Sequence, residues 1–216
     1  ARPRPDLSRG AGRRSRLGRT DRSARRPRHP LPAEPFPRHA IAVAAGAATW
    51  SFAEYALHRF AGHAPKQRKS DQKATLFDGD FGTEHQAHHT DTRYFTPTER
   101  KLKTAAVAAA ALGTLGSLVF GPRRALSFVA GFAVTYASYE IAHRRTHTHA
   151  PRGPYSRWTR RHHLSHHFSN PGTNHGVTSP IWDLVFGTYV DHGRIRVPRR
   201  HAPPWLIDDQ GRVRDE

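Results

Sequence analysis

Three apolar segments constrain the fold of this chain more than any other feature. They cover residues 40–57, 104–120 and 125–142, and Gly121 and Pro122 separate the second from the third. A helix as long as the first segment would reach about 27 Å, close to the roughly 30 Å hydrocarbon core of a bilayer. The segments predict an all-α integral membrane protein whose last two membrane helices form a hairpin with a tight turn. A buried helix in a soluble protein stays an alternative for the alanine-rich first segment.

The charge of the chain is strongly positive, and arginine carries most of it. Thirty-five Lys and Arg residues oppose seventeen Asp and Glu residues, which leaves a formal net charge of +18. Such a surplus is typical of proteins that meet nucleic acid or an anionic membrane surface. The arginine- and proline-rich residues 1–38 predict a disordered basic tail, either a solvated segment or an arm for anionic lipid or nucleic acid.

The chain contains no cysteine. Disulfides and thiolate metal ligands are therefore excluded, and a bound metal would need imidazole, carboxylate or water as ligands.

Histidines are concentrated in two stretches, residues 58–89 and 143–175, on either side of the predicted hairpin. If the first apolar segment crosses the membrane once and the hairpin crosses twice, both stretches lie on the same side. Lysines and arginines near the helix ends favour the cytoplasmic side for these stretches, although only weakly.

The spacing of the histidines is that of metal ligands on helices. The clusters are His58 with His63; His85, His88 and His89; His143 with His147; and His163, His166 and His167. Positions i, i+3 and i+4 share one helical face. The spacing of five between His58 and His63 does not, so we predict that Gly62 ends the helix and turns His63 back.

Ten imidazoles are too many for one ion, and two ions with roughly five ligands each would account for them. Neutral imidazole binds iron, zinc and copper, so the ligand type does not choose the metal. An open position on a redox metal beside lipid favours oxygen activation, whereas zinc would favour hydrolysis or a structural site.

Other polar and aromatic residues have more ordinary alternatives. Glu54, Glu140 and Asp183 are candidates for orienting the ligand imidazoles, although caps or salt bridges explain them equally well. Trp182 and Trp205 are candidate interfacial anchors, with core packing the safer expectation for Trp182. Three further histidines lie beside the clusters, and for each of them metal ligation and an ordinary structural role are equally expected. They are His149, His162 and His175. Those expected to be incidental are His29, His39, His192 and His201.

The motifs HRFAGH, HQAHH, HRRTH and HLSHH, followed by NHGVTSPIWDLVFGTY, resemble the fatty acid hydroxylase superfamily. That group contains sterol desaturases, sterol C-4 methyl oxidases and fatty acid 2-hydroxylases. The resemblance covers roughly residues 40–192. With the basic tail described above, the predicted domain organisation is a tail (1–38), a membrane catalytic domain (39–200) and a C-terminal tail (201–216). The resemblance also implies metal ligands at His58, His63, His85, His88, His89, His143, His147, His163, His166 and His167.

The resemblance further implies two iron ions, with zinc possible in the isolated protein, on the cytoplasmic face of the membrane. Oxygen and two electrons from a redox protein would hydroxylate an unactivated C–H bond of a lipid. Such a bond has no leaving group and no acidic proton, so the redox chemistry must come from the cofactor. No nucleic-acid partner is expected. Family members often have four membrane helices where this sequence predicts three, and the final NHGVTSPIWDLVFGTY motif has no ligand role that its residues explain.

Two alternatives remain open at the level of sequence. A desaturase or a carotenoid ring hydroxylase would use the same metal core. A non-catalytic metal- or nucleic-acid-binding basic protein would instead be soluble without detergent and would bind DNA with a steep salt dependence.

Overall fold

A computed structural model of the chain describes residues 36–63 and 81–214. Within these ranges the chain is mostly helical, and its only β pairing is an isolated bridge between Ile207 and Val213. The helices are α1 (Phe36–Ala56), which continues as a π-helical turn (Leu57–Gly62), α2 (Phe81–Thr90), α3 (Thr98–Phe120), α4 (Pro122–Thr148), α5 (Gly153–Phe168) and α6 (Ile181–Val185). Two 3-10 turns follow, Arg199–His201 and Pro204–Leu206. The predicted all-α fold is confirmed.

Three helical segments are long and apolar enough to cross a membrane: Pro37–Gly62, Thr98–Phe120 and Pro122–Thr148. Little of each is buried inside the protein, and large apolar side chains such as Leu118 and Val119 point outward from α3. A bilayer would cover these side chains. The backbone N–H and C=O groups of a helix bond to each other, so they need no water inside the bilayer. The three predicted spans therefore correspond to α1, α3 and α4.

The helices extend further than their apolar segments. Helix α1 begins at Phe36 rather than at residue 40, α3 begins at Thr98 rather than at 104, and α4 continues to Thr148 rather than ending at 142. Apolar composition marks the part of a helix that faces lipid, whereas helical hydrogen bonding continues into polar sequence once a helix is nucleated.

Two predicted segments lie mainly outside the described residues. Of the predicted disordered tail, residues 1–35 lie outside them and residues 36–38 form the start of α1. The polar residues 64–84, which include Pro65, Gly79 and Gly82, predict a loop from sequence, and residues 64–80 lie outside the described residues. The last four residues of that loop are the first turn of α2, which corrects the prediction there.

Helices α1 and α4 run in the same direction. His39 Nδ1 on α1 lies 2.8 Å from Ser127 Oγ on α4, and further along both helices Trp50 packs against Phe132 and Tyr136. Helix α3 runs the opposite way, because Gly121 reverses the chain with a φ of 86° and Pro122 begins α4. The end of α1, the start of α3 and the end of α4 therefore lie together, as the parity of three crossings predicts.

Small residues allow the membrane helices to approach closely. A Cβ atom added to Gly46 would overlap the carbonyl of Phe128, and one added to Gly131 would overlap the carbonyl of Val43. Backbone contact of this kind between α1 and α4 is characteristic of helix packing in membranes. The α1–α4 pair is thus the frame that holds the two histidine stretches at one end.

Candidate metal centre

All ten predicted ligand histidines converge at this shared end of the helices, where they form two groups of five. The first group contains His58, His63, His85, His89 and His166. The second group contains His88, His143, His147, His163 and His167. Within each group, one ring nitrogen from every histidine lies within 4.8 Å of all the others.

Helices α2 and α5 each contribute to both groups. On α2, His85 belongs to the first group and His88 to the second; on α5, His163 belongs to the second and His166 to the first. A helix turns about 100° per residue, so on one helix face position i+4 lies about 40° to one flank of position i and position i+3 about 60° to the other flank. A helix that lies between the two groups can therefore direct the first and last histidines of an HxxHH pattern to one group and the middle histidine to the other, as α2 and α5 both do.

The spacing of five between His58 and His63 is matched to the local helix geometry. The chain from Leu57 to Gly62 is π-helical, and His63 caps it. Because i→i+5 hydrogen bonding places residues five apart nearly above one another, the two rings reach the same group, with centroids 5.5 Å apart. The helix ends at Gly62 as predicted, but π-helical winding aligns the two rings rather than a reversal at the helix end.

Gly62 also permits a close contact with α2. A Cβ atom at this position would lie 2.7 Å from Cδ2 of His85, and the Gly62 carbonyl accepts a hydrogen bond of 2.8 Å from Gln86 Nε2. The absence of a side chain at Gly62 therefore lets α2 bring His85 into the first group.

Nitrogen–nitrogen distances within the groups match those of ligands around a common ion. In the first group, His63 Nε2 lies 2.9 Å from Nε2 of both His85 and His166. In the second, His88 Nε2 lies 3.1 Å from Nε2 of both His143 and His147. Nitrogens bound at about 2.1 Å to one ion and at right angles to each other would be about 3 Å apart.

Hydrogen bonds to backbone carbonyls determine which ring nitrogen carries the proton in three of these histidines. Nδ1 of His58 donates to the carbonyl of His175. Nδ1 of His88 donates to the carbonyl of Tyr94 at 2.8 Å, and Nδ1 of His166 donates to that of Thr173 at 2.7 Å. A carbonyl oxygen only accepts, so each Nδ1 is protonated and each Nε2 of the neutral ring presents a lone pair.

These lone pairs point into the two groups, where other imidazole nitrogens face them. The buried Nε2 of His58 has no hydrogen-bond partner among the described residues. Converging lone pairs repel one another, and a cation removes that repulsion by accepting all of them. The donor set of each group therefore fits a metal ion that imidazole binds.

The histidines outside the membrane helices are held in the form that binds metal. Burial lowers the pKa of His63 and of His88 to about 4, and that of His89 to about 3. Burial, reinforced by neighbouring imidazoles, also lowers the pKa of His163 and of His167 well below the usual value. These side chains are neutral at pH 7, and only the neutral imidazole has a free lone pair for a metal.

Asp183 holds the loop that orients His58. Its fully buried carboxylate accepts hydrogen bonds of 2.8 Å from the backbone N–H groups of His175 and Gly176, and another of 2.8 Å from Thr188 Oγ1. Burial raises the pKa of Asp183, but these bonds and one from His162 outweigh it, so the pKa lies below its usual value. Asp183 thus holds the backbone of His175, and the carbonyl of His175 in turn orients the ring of His58.

Glu54 supports the same loop rather than a ligand imidazole. Its buried carboxylate accepts hydrogen bonds from the backbone N–H groups of Val177, at 2.6 Å, and Thr178, at 2.8 Å. Glu54 precedes His58 by one helical turn but does not bond to that ring, whose Nδ1 donates to the carbonyl of His175 instead. Glu140 forms an ion pair with Lys101, which is the ordinary alternative for this residue.

The remaining histidines within the described ranges lie outside both groups. His162 bonds to Asp183, and the buried His175 stacks edge-on beside His58 and His166 without joining their group. The others are His39, His149, His192 and His201; His29 lies outside the described residues. The carbonyls of Tyr94 and Thr173 were not predicted from sequence, since a backbone acceptor has no residue-type signature.

Comparison with known proteins identifies the family. The chain matches the family described as fatty acid hydroxylase over residues 43–188, well over half of its length. It belongs to the fatty acid hydroxylase family. The family predicted from the histidine motifs is thereby confirmed. The three candidate membrane helices and the family together identify the chain as an integral membrane protein.

Curated relatives carry names of lipid hydroxylases. The chain is 34% identical over 154 residues to a dihydroceramide fatty acyl 2-hydroxylase of Arabidopsis thaliana, covering 71% of this chain and 62% of the relative. It is 31% identical over 153 residues to the ceramide very long chain fatty acid hydroxylase of Saccharomyces cerevisiae, covering 67% and 37%. The human fatty acid 2-hydroxylase is 28% identical over 145 residues, with 66% and 38% covered. The chain thus spans less than two thirds of the length of these relatives.

A solved structure has the same fold. The hydroxylase domain visible in full-length Scs7p superimposes with a TM-score of 0.57 at 26% identity, covering 74% of this chain and 59% of that one.

Proposed function

We propose that this protein is a membrane-bound oxygenase that hydroxylates a C–H bond of a lipid acyl chain. The names of its relatives favour the carbon next to the acyl carbonyl, in a free fatty acid or an N-acyl sphingolipid. The observation that carries the proposal is the pair of five-histidine groups at the shared end of the membrane helices. One acyl C–H bond, O2, two electrons and two protons would give one C–OH group and one water.

Each histidine group would hold one ion, and iron is the metal that suits this reaction. Bound iron would supply the redox chemistry that activates O2, which no side chain of this protein can supply. The all-imidazole donor set fits iron but also fits zinc, so isolated protein is expected to carry either metal.

The protein's own residues would position the ions and limit their contact with water. The carbonyls of His175, Tyr94 and Thr173 orient three of the imidazoles, and such outer contacts raise the affinity of a histidine for its metal. His163 and His166, in the C-terminal half of α5, are fully buried, whereas His63, His85, His89 and His167 are half-buried. The side chains would thus hold the ions in a partly buried setting at the shared end of the membrane helices.

We place the histidine end on the cytoplasmic face, where a redox protein could deliver electrons. Basic residues lie near the helix ends on this side, among them Arg59, Lys101 and Arg144. Cytoplasmic loops of membrane proteins carry such an excess.

The test is product analysis with matched histidine variants. Membranes containing the protein would be supplied with a reductase, NADPH and either a free fatty acid or a ceramide, and products would be identified by mass spectrometry. His166→Ala and His88→Ala each remove one nitrogen from a group and should abolish hydroxylation and reduce bound metal. His149→Ala removes an exposed histidine outside both groups and should leave activity and metal content unchanged.

Equal activity in all three variants would contradict the metal-centre assignment. The products separate the remaining alternatives, because a desaturase yields an alkene and a ring hydroxylase acts on carotenoids but not on acyl chains. A non-catalytic metal protein would bind metal and consume no oxygen with any of these lipids.

A further inference from the structure

The last motif of the sequence forms a short helix with two different faces. Within it, Asp183 points inward to the loop behind the metal centre, and Trp182 packs against α1. Four large apolar side chains point outward, with exposed fractions of 57% for Ile181, 61% for Leu184, 63% for Val185 and 44% for Phe186. A contiguous exposed apolar patch of this kind marks a surface that another apolar phase covers.

The patch is continuous with the part of α1 that faces lipid. Phe52 on α1 is 42% exposed and contacts Trp182, with ring centroids 4.9 Å apart. Trp182 Nε1 donates a hydrogen bond of 3.1 Å to Ser51 Oγ. Helix α6 therefore lies beside the Ser51 level of the membrane-spanning segment.

The depth of that level follows from helix geometry. Ser51 precedes Gly62, the end of the 26-residue span, by about 16 Å along the helix axis. The whole span would be about 39 Å long, about 9 Å more than the hydrocarbon core of a bilayer. Even if all of this excess projects at the histidine end, Ser51 stays about 7 Å inside the hydrocarbon region. Helix α6 lies at that depth although it is far too short to cross.

The backbone of α6 can tolerate such a position. Backbone N–H groups of this turn donate within the protein: Leu184 N to the carbonyl of Pro180, Phe186 N to that of Trp182, and Thr188 N to that of Asp183. A non-helical connection at membrane depth is permitted where its polar backbone groups are satisfied internally.

A cation stands at the border of the patch. Arg59 stacks over Phe60 at 5.1 Å and over Phe186 at 6.0 Å, and its Nη1 donates a hydrogen bond of 2.6 Å to Tyr55 Oη. An arginine at the edge of an apolar surface can place its charge among lipid headgroups while its stem covers apolar rings.

We infer that residues 181–186 form a re-entrant membrane segment, which inserts into the leaflet on the histidine side without crossing. The occupant of the patch is lipid acyl chain. The inference is independent of the proposed reaction. It also explains the two faces of the motif, since Asp183 anchors the metal-centre loop while its neighbours on the same turn contact the bilayer.

The absence of cysteine makes the test direct. Leu184→Cys would carry a nitroxide spin label in the full chain, reconstituted into vesicles of phosphatidylcholine and phosphatidylglycerol. Collision with O2, which concentrates in hydrocarbon, would be compared with collision with a water-soluble nickel chelate. Val119→Cys on α3 is the lipid-facing reference, and Arg196→Cys, exposed outside the spans, is the water-facing reference.

The inference predicts an oxygen-to-nickel collision ratio at Leu184 close to that at Val119 and several-fold above that at Arg196. A ratio like that of Arg196 would overturn it. Low collision with both reagents would also overturn it, because the patch would then be covered by protein, such as a second copy of the chain. Val185→Cys repeats the measurement on the neighbouring exposed position, and retained metal in each labelled protein establishes that it is folded.

Discussion

The imidazoles of His88 and His89 belong to different five-histidine groups, although the two residues are adjacent in the chain. Their ring centroids are 6.4 Å apart, whereas His88 lies 4.5 Å from His147, which is 59 positions away. Adjacent residues on a helix point about 100° apart, so α2 can face both groups only by dividing its histidines between them. Helix α5 makes the same division in the opposite sense, and the two groups interlock through these two helices.

This division predicts how pairs of substitutions combine. If each group holds one ion, His88→Ala combined with His143→Ala damages one group and should leave about one ion per chain, because the other group keeps all its ligands. His88→Ala combined with His89→Ala damages both groups and should leave nearly none. Metal content by mass spectrometry of purified protein is the measurement. Equal metal loss from the two double variants would contradict the division.

Gly62→Ala is expected to disturb the first group selectively. The new Cβ would lie 2.7 Å from the His85 ring, so α2 or the π-helical turn must shift. We expect lower metal occupancy and lower activity, with helix content unchanged by circular dichroism. Gly113→Ala is the matched control, because a Cβ there meets only Val129 at an ordinary 3.7 Å. Full metal content in Gly62→Ala would contradict the close contact.

Asp183→Asn should destabilise the loop behind the metal centre. The carboxylate accepts hydrogen bonds from two backbone N–H groups and from the hydroxyl of Thr188. The NH2 group of an asparagine donates and cannot accept, so at least one of these donors would lose its acceptor. Leaving a buried donor unpaired costs about 1–3 kcal/mol. Thermal unfolding in detergent is the measurement. Asp191→Asn, on an exposed ion pair with Arg161, should change the unfolding temperature little, and a similar drop in both variants would refute the role of Asp183.

Metal-free protein should lose stability in mild acid. Burial holds the pKa of His63 and of His88 at about 4 in the folded chain, whereas unfolded histidine has a pKa near 6.5. The unfolded state therefore binds more protons as the pH falls from about 6.5 towards 4, and the free energy of unfolding decreases over that window. Unfolding temperatures of chelator-treated protein between pH 8 and pH 5 would measure this. A temperature that is flat or rises on acidification would show that these rings are not buried as described.

Much of the fold and of the candidate centre was predictable from residue types and their spacing. Apolar segments of membrane length, broken at Gly121 and Pro122, specify three helices and a hairpin, because lipid requires helices with internally satisfied backbones. The i, i+3 and i+4 spacings specify which histidines share a helix face. These are local properties, and they depend only on the geometry of a single helix.

Contacts between distant segments decided the rest. Spacing alone does not assign His88 and His89 to different groups, since that depends on what α4 and α5 place opposite each side of α2. The partners of Glu54 could not be predicted for the same reason, because the loop at Val177 and Thr178 meets it from more than a hundred residues away. The backbone carbonyls that orient His88 and His166 have no signature in the sequence. Only the packed chain brings an acceptor of this kind to a particular ring, since backbone groups are the same at every residue.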